Sequence, residues 1–411
     1  MALIVQKFGG TSVADPDRIR EVADHVARCR RRGDQVVLVI SAMGKETDEL
    51  LRLADDVSTT RPGREMDMLV TGGERKACAL MAMALADTGV PAASFTGSQA
   101  GFRTDTTHMN AKILQITPVR IEEAHRVGIV PVVGGSQGVS TDNDITFFGR
   151  GGSDTTAVAL AHVLGADACE LYTDVPGVFT TDPRLVATAR RIDAISFDEL
   201  LEMTATGCPK PAMRSVELAR SYGVKLHVRS AFTWAPGTWV IEEDPMERAI
   251  ISAVTHDTSE AKMTVSGVSD KPGVAATLFR ALADREVNVD MIVQNVSTAG
   301  VTDISFTVPR DQLEVAETTA ARLRGEIGAG GTAADAEIAR VSLIGAGMQT
   351  NPGVAAHMFQ TLSDAGINIE MISTSAIRIS CVIREDEVER AVESLHSAFE
   401  LDRPPEERRD L

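Results

Sequence analysis

The chain has 411 residues, 44% of them apolar and 24% charged, enough for two to three domains with a sizeable core. Only 4% are aromatic, while Ala, Val and Gly are plentiful, a balance that suits α/β layers with strands buried on both faces. The net charge of −17 speaks against a nucleic-acid partner and obliges any anion site to gather its cations locally.

The five cysteines (Cys29, Cys78, Cys169, Cys208, Cys381) are scattered and form no CxxC pair, so neither a disulfide framework nor a zinc site is expected. Ala2 to Gln6 reads as a buried strand that runs into Gly9-Gly10. The first residues lack the charged start of a signal peptide, and a cytoplasmic protein is expected. A helix follows from Asp17 to Arg32, with Asp15 and Pro16 as start signals. Val36 to Ile40 is a second buried strand, too short to cross a membrane. Met66 to Leu85 is helical, with a bend or loop expected at Gly72-Gly73. Ile129 to Val133, Ala168 to Thr173 and Val224 to Val228 read as strands, and Asp154 to Leu164 as a helix. Strands spaced by helices predict a mostly parallel sheet covered on both faces, with ligands at the carboxyl ends of its strands.

A linker is expected from about Ala235 to Ala261, through Pro236, Gly237, Asp244 and Pro245. Beyond it the chain repeats itself. Asp270-Lys271-Pro272-Gly273-Val274-Ala275-Ala276 recurs 80 residues later as Thr350-Asn351-Pro352-Gly353-Val354-Ala355-Ala356. Asn288-Val289-Asp290-Met291-Ile292 recurs as Asn368-Ile369-Glu370-Met371-Ile372 in the same register. Two copies of one small α/β module follow from this. A Gly- and Ala-rich spacer from Arg324 to Ala339 separates them, and the charged tail from Asp402 is expected to be disordered.

Six short stretches carry the chemistry. Lys7-Phe8-Gly9-Gly10-Thr11-Ser12-Val13 lies between strand and helix. Its glycines allow backbone N–H groups to approach an anion, and Lys7 can neutralise a transferring phosphoryl group. The same letters also serve a tight turn with an exposed lysine, and no Walker A pattern is present. Gly149-Arg150-Gly151-Gly152-Ser153-Asp154-Thr155-Thr156 places an uncrowded arginine, suited to a carboxylate, before a helix N-terminus. Thr71-Gly72-Gly73-Glu74 offers a carboxylate for an ammonium, although Glu74 alone reads as a surface residue. Ser41 and Thr47 either bind a small polar ligand or cap a helix. Thr173-Asp174-Val175-Pro176-Gly177 and Thr181-Asp182-Pro183-Arg184 suit a nucleotide or plain turns. No His/Asp or Cys/His constellation stands out, and His108 reads as structural.

Together these segments resemble the aspartate kinase family of the amino acid kinase superfamily, and the two modules look like paired ACT domains. The resemblance implies a catalytic domain over residues 1–245 and regulatory modules over 263–335 and 340–402. It implies ATP and Mg²⁺ as cofactors, with no metal ligand assigned. Catalysis would fall to Lys7, Glu74, Arg150 and Asp154, and L-aspartate to Ser41, Thr47, Glu74, Arg150 and Ser153. The nucleotide would meet Lys7, Phe8, Gly9, Gly10, Thr173, Asp174, Asp182, Arg184 and Lys210. A regulatory lysine and/or threonine would meet Asp270, Val274, Ala275, Asn288, Asp290 and Gln294. In the second module the corresponding residues would be Val354, Ala355, Asn368, Ile369, Ser375 and Ala376. A homo-oligomer through the modules is implied, with Met246 a candidate internal start for a short subunit, and with neither nucleic acid nor membrane as partner.

The chain departs from the family pattern at three places. Gly207-Cys208-Pro209-Lys210-Pro211 has Pro209 where a lysine is usual, and Lys210 one step on. Val274 and Ala376 stand where acidic residues are expected, which points to weakened feedback. A glutamate kinase, or an amino-acid sensor with a decayed kinase site, are the competing readings.

Overall fold

The computed structural model describes residues 2–242, 251–294, 300–349, 351 and 353–408. Asp244, Pro245, Met246, Thr350 and Pro352, named above, lie outside the described residues. The chain divides into two compact units. The first comprises residues 1–178, 191–204 and 209–245, the second residues 179–190, 205–208 and 246–411.

The first unit opens with β1 (Leu3–Phe8), α1 (Pro16–Arg31), β2 (Gln35–Ile40), α2 (Glu46–Val57), α3 (Gly63–Asp87) and β3 (Ala92–Phe95). It continues with β4 (Phe102–Thr104), β5 (Ile113–Ile116), α4 (Val119–Arg126), β6 (Val130–Gly134), β7 (Gln137–Ser140) and β8 (Ile145–Phe147). Then come α5 (Gly152–Val163), β9 (Ala168–Thr173), β10 (Ala194–Ser196), α6 (Phe197–Ala205), α7 (Met213–Tyr222), β11 (Leu226–Ser230) and β12 (Thr238–Ile241). Eight strands form one sheet in the order β10-β12-β11-β9-β1-β2-β6-β3, parallel across its centre, and β5-β4-β7-β8 form a smaller one.

Strand periodicity sorts the side chains of β1 and β2 between two helical layers. Phe8, Leu38 and Ile40 enter the core under α1 and α3 with Val22, Val26, Met81 and Leu85. Lys7 therefore points to the opposite face, where α5 packs. Asp15 caps α1 by accepting from the Asp17 and Arg18 amides at 2.9 Å.

Helix α3 runs unbroken through Gly72-Gly73, in place of the expected bend. A Cβ on Gly73 would stand 2.8 Å from the Ala42 Cβ, so this glycine serves a close approach to the loop after β2.

The second unit contains β13 (Ala253–Asp257), β14 (Glu260–Ser269), α8 (Val274–Ala283), β15 (Asp290–Gln294), β16 (Val301–Pro309), α9 (Leu313–Leu323) and β17 (Gly331–Asp335). It continues with β18 (Ile338–Ile344), α10 (Gly353–Asp364), β19 (Met371–Thr374), β20 (Arg378–Arg384) and α11 (Val388–Ala398). The sheets are β15-β16-β14-β17 and β13-β18-β20-β19. The repeat is thus real, with one exchange. In the first module β17 flanks the first strand; in the second that place is taken by β13, which precedes both modules in sequence.

The expected linker therefore contains β12 and β13, and the expected spacer contains β17. The tail is ordered at least to Arg408, whose guanidinium donates to the Ile251 carbonyl at 2.6 Å.

Candidate active site

The site is built at the carboxyl ends of β1, β2, β6 and β9 in the first unit. Lys7 Nζ stands 2.6 Å from Asp154 Oδ1, with the side chains 12% and 10% exposed. Asp154 lies in the first turn of α5, and its other oxygen accepts from the Ala212 amide at 3.1 Å. One carboxylate thereby fixes both the lysine and the segment ahead of α7. Gly151, at φ 73°, precedes α5 in a left-handed conformation and turns the chain into the helix N-terminus.

In the glycine pair after β1, Gly10 is required by space. A Cβ on Gly10 would lie 2.7 Å from the Gly44 carbonyl oxygen and 2.9 Å from that of Ala42, both backbone atoms. A Cβ on Gly9 would meet Lys7 Nζ at 3.4 Å, so that face stays open beside the ammonium. Gly10→Ala is expected to raise KM for ATP about ten-fold, with a smaller change in KM for aspartate, in steady-state kinetics. Phe8 does not share this site through its side chain: it is fully buried and stacks on Tyr172 with ring centroids 4.6 Å apart.

Glu74 is not on the surface. It is 3% exposed on α3, close to the ends of β2 and β6, and its Oε2 has no hydrogen-bond partner among the described residues. Burial drives its carboxyl up to about 7, against relief from backbone groups including Ala42. A buried carboxylate in this condition suits an incoming ammonium. Ser153 is buried against Gly135, where a Cβ would stand 2.5 Å from its hydroxyl. Ser41 is half-buried at the end of β2 and donates its amide to the Phe8 carbonyl, while Thr47 begins α2. Arg150 is exposed and meets Asp48 of α2 at 3.2 Å.

At the end of β9, the Thr173 hydroxyl donates to Asp174 Oδ1 at 2.8 Å, and Lys210 Nζ lies 3.3 Å from the same oxygen. Burial raises the Asp174 carboxyl, but the Thr173 hydroxyl and Lys210 outweigh it and hold the group below its usual value. Lys210 thus reaches this strand end although Pro209 occupies the usual lysine place. Asp182 and Arg184 belong to the second unit, where they pair with each other at 2.6 Å.

Two further groups support the site without any sequence signal. Asp67, fully buried on α3, accepts from the Met109 amide at 2.8 Å and meets His108 Nδ1 at 2.6 Å. Arg214 donates to the Phe148 and Ala111 carbonyls at 3.0 and 2.9 Å, which ties down the loop leading to Arg150. Both depend on partners more than 40 residues away, beyond the reach of local pattern.

In the second unit a cavity of about 360 Å³ is lined by Asp270, Val274, Ala275 and Gln294 among others, at the start of α8. Of the other expected effector residues, Asn288 is exposed, and Asp290 turns to Arg340 at 2.6 Å. Val354 is core and Ile369 packs beside it; Ala355 is part-buried, while Asn368, Ser375 and Ala376 are exposed. No group of three or more His, Cys, Asp or Glu suited to a metal occurs among the described residues, and no helix there is long and apolar enough to cross a membrane.

The model of the amino acid kinase family matches residues 2–230, and an ACT domain model matches residues 263–321 and 341–399. Aspartokinase of Mycolicibacterium smegmatis is 53% identical over 407 residues, covering 98% of this chain and 97% of the relative. The crystal structure of aspartate kinase from Synechocystis is 43% identical with a TM-score of 0.55, over 97% of this chain and 70% of that one. E. coli aspartokinase III, solved in complex with lysine and aspartate in its T-state, is 25% identical with a TM-score of 0.72, over 96% and 99%. With half its residues identical along nearly the full length of a relative, and with an amino acid kinase domain followed by two ACT domains, the chain belongs to the aspartokinases of the amino acid kinase family.

Proposed function

We propose that this ATP-dependent aspartate kinase makes 4-phospho-L-aspartate with Lys7 on the transferring phosphoryl group, Glu74 on the substrate ammonium and Arg150 on its α-carboxylate. The observation that carries the reading is Glu74, a buried carboxylate at the strand ends with one oxygen unpartnered among the described residues. The side-chain carboxylate of aspartate, with a pKa near ~4, is already ionised at neutral pH. It attacks the γ-phosphorus, the bond to the β,γ-bridging oxygen breaks, and ADP leaves with that electron pair. No base is needed, which agrees with a site built of cations and backbone amides. The work of the protein is to align two anions and offset their repulsion. Gly10 and the start of α5 supply N–H groups, while Gly9, whose amide donates to the Tyr172 carbonyl, leaves room for the phosphates beside Lys7; Ser41, Thr47 and Ser153 orient the amino acid; Asp154 holds Lys7 in line.

Mg²⁺ fits as an ion carried mainly by the phosphates, since such ions are commonly bound through one or two protein carboxylates. Asp174, 47% exposed, is available for that purpose, and Lys210 and Thr173 beside it serve the nucleotide. Asp182 and Arg184 are further nucleotide candidates. When bound, the ion neutralises phosphate charge.

Hydroxylamine trapping of the acyl phosphate tests the activity. Signal with aspartate and none with glutamate is expected; the reverse preference would assign a different acceptor. Turnover at ordinary kinase rates, about 1–100 per second, excludes a decayed sensor.

For regulation, the cavity at the start of α8 is the site for lysine and/or threonine, and the E. coli relative solved with lysine supports that class of ligand. An effector there lowers activity only by favouring a less active state. Val274 in the cavity and exposed Ala376 favour weakened feedback, because each removes a carboxylate that would meet an ammonium. Val274→Asp is expected to tighten lysine inhibition about five-fold, the scale of one exposed ion pair, in inhibition titrations. The proposed boundaries remain 1–245, 263–335 and 340–402, in a cytoplasmic homo-oligomer, and a single band on a denaturing gel of native protein excludes a short subunit started at Met246.

A further inference from the structure

Asp67 of α3 is fully buried, yet no step of the proposed reaction uses it. A carboxylate withdrawn from water destabilises the fold unless hydrogen bonds compensate. Burial raises the Asp67 carboxyl, and the His108 ring with the Met109 and Phe147 amides offset only part of that rise. Two of its bonds go to one short turn: Oδ1 accepts from the Met109 amide at 2.8 Å, and Oδ2 meets His108 Nδ1 at 2.6 Å. Met109 takes φ +63°, a left-handed conformation that a residue with a Cβ keeps only where its surroundings hold it. The start of α3 closes on the same place, since a Cβ on Gly63 would stand 2.7 Å from the His108 Cβ.

This turn is the floor of the Arg150 loop. A Cβ on Gly149, at φ +84°, would lie 3.3 Å from both the Met109 carbonyl oxygen and Asn110 Oδ1. The Ala111 amide donates to the Phe147 carbonyl at 2.9 Å, and Arg214 bridges the Ala111 and Phe148 carbonyls. Residues 109–111 and 147–149 are thus stitched together. Arg150 itself is 89% exposed, and its contact with Asp48 is a surface pair, which fixes a side chain weakly. Its aim therefore comes from the backbone beneath it. Asp67 and Glu74 lie two turns apart on α3, about 10.5 Å along the axis, and both are buried. All of these residues belong to the first unit.

We infer that Asp67 is a positioning residue for the amino acid substrate: by fixing the Met109 turn it sets the loop from which Arg150 meets the α-carboxylate. The inference rests on the reading of Arg150 as the carboxylate partner and of Glu74 as the ammonium partner. One helix then governs both ends of the α-amino acid group, the ammonium directly through Glu74 and the carboxylate through Asp67 and the turn. Asp67 acts without touching the substrate.

Asp67→Ala, Asp67→Asn, Arg150→Ala and the double variant Asp67→Ala with Arg150→Ala, all in the full chain, are assayed for kcat, for KM of each substrate and for Tm. Arg150→Ala is expected to raise KM for aspartate about 10- to 100-fold, the scale of a lost charge-assisted hydrogen bond. Asp67→Ala should raise it about three- to ten-fold, the scale of one lost neutral bond, with KM for ATP within about two-fold. Asp67→Asn keeps an oxygen for the Met109 amide and should stay within about two-fold of the parent. In the Arg150→Ala background, Asp67→Ala should add less than about two-fold, because no guanidinium is left to aim. Should Asp67→Ala not fold, Asp67→Ser, whose hydroxyl is too short to reach the turn, takes its place with the same expected values. The inference falls if Asp67→Ala leaves KM for aspartate unchanged, or raises both KM values together as Tm drops. It falls equally if Asp67→Ala multiplies the Arg150→Ala loss in full, or if Asp67→Asn is as impaired as Asp67→Ala. If Arg150→Ala itself leaves KM for aspartate unchanged, the carboxylate reading of Arg150 fails, and Asp67 loses this role with it.

Discussion

Lys7→Ala is expected to lower kcat by about 10²–10³, the cost of removing one preorganised charge from a phosphoryl-transfer site. Two features set the size. Lys7 is 12% exposed, so water screens it little, and its removal leaves Asp154 negative beside the phosphates. The variant thus exchanges attraction for repulsion. Rapid-quench or steady-state assays with ATP and aspartate measure the effect, with KM for aspartate expected to stay within about three-fold because Lys7 acts on the other substrate. Asp154→Asn combined with Lys7→Ala should be no worse than Lys7→Ala alone, since the carboxylate has lost its counterpart. A double variant slower by the product of the two single losses would show that Asp154 acts independently of Lys7.

Glu74→Gln is expected to separate activity from stability. The carboxyl of Glu74 titrates near 7 in the folded chain against about 4.5 when free. A raised carboxyl favours folding below its unfolded value, and that contribution is lost as pH rises through the folded value. The neutral amide escapes the loss. The variant should match the parent near pH 4 and become more stable across pH 4.5 to 7, with a plateau gain of about 3 kcal/mol above pH 7. Denaturant titrations across that range measure it. At the same time activity should fall by about 10² or more, because the substrate ammonium loses its ionic partner. In the parent, KM for aspartate should improve as pH rises through 7, as Glu74 ionises, and Glu74→Gln should flatten that profile. A variant equally stable at every pH would place the carboxylate in a solvated setting.

Much of the arrangement was legible from local pattern. The strand before Lys7, the glycines after it and the turn into the α5 helix each rest on neighbours within a few residues. The repeat was legible for the same reason, since it compares one segment with another. What local pattern misjudged depends on distant chain. Glu74 reads as a surface residue until the ends of β2 and β6 close over it. Gly72-Gly73 reads as a break, but α3 stays helical because Gly73 lets it press on Ala42. Segment 235–261 reads as a linker, since β12 and β13 are short and find their partners in β10, β11 and β18.

By itself the sequence determined the α/β class and the two-module repeat, and it brought Lys7, Gly10 and Arg150 forward as candidates. Those follow from hydrophobic period, glycine geometry and charge, which act within one turn or one strand. Tertiary structure alone decided the protonation of Glu74, the pairing of Lys7 with Asp154, and the insertion of β13 into the second module. It also decided that Arg340 would be buried among carboxylates from three separate segments. Desolvation and ion pairing are properties of what surrounds a group, and here the surroundings come from residues up to 147 positions apart in sequence, as Lys7 and Asp154 are.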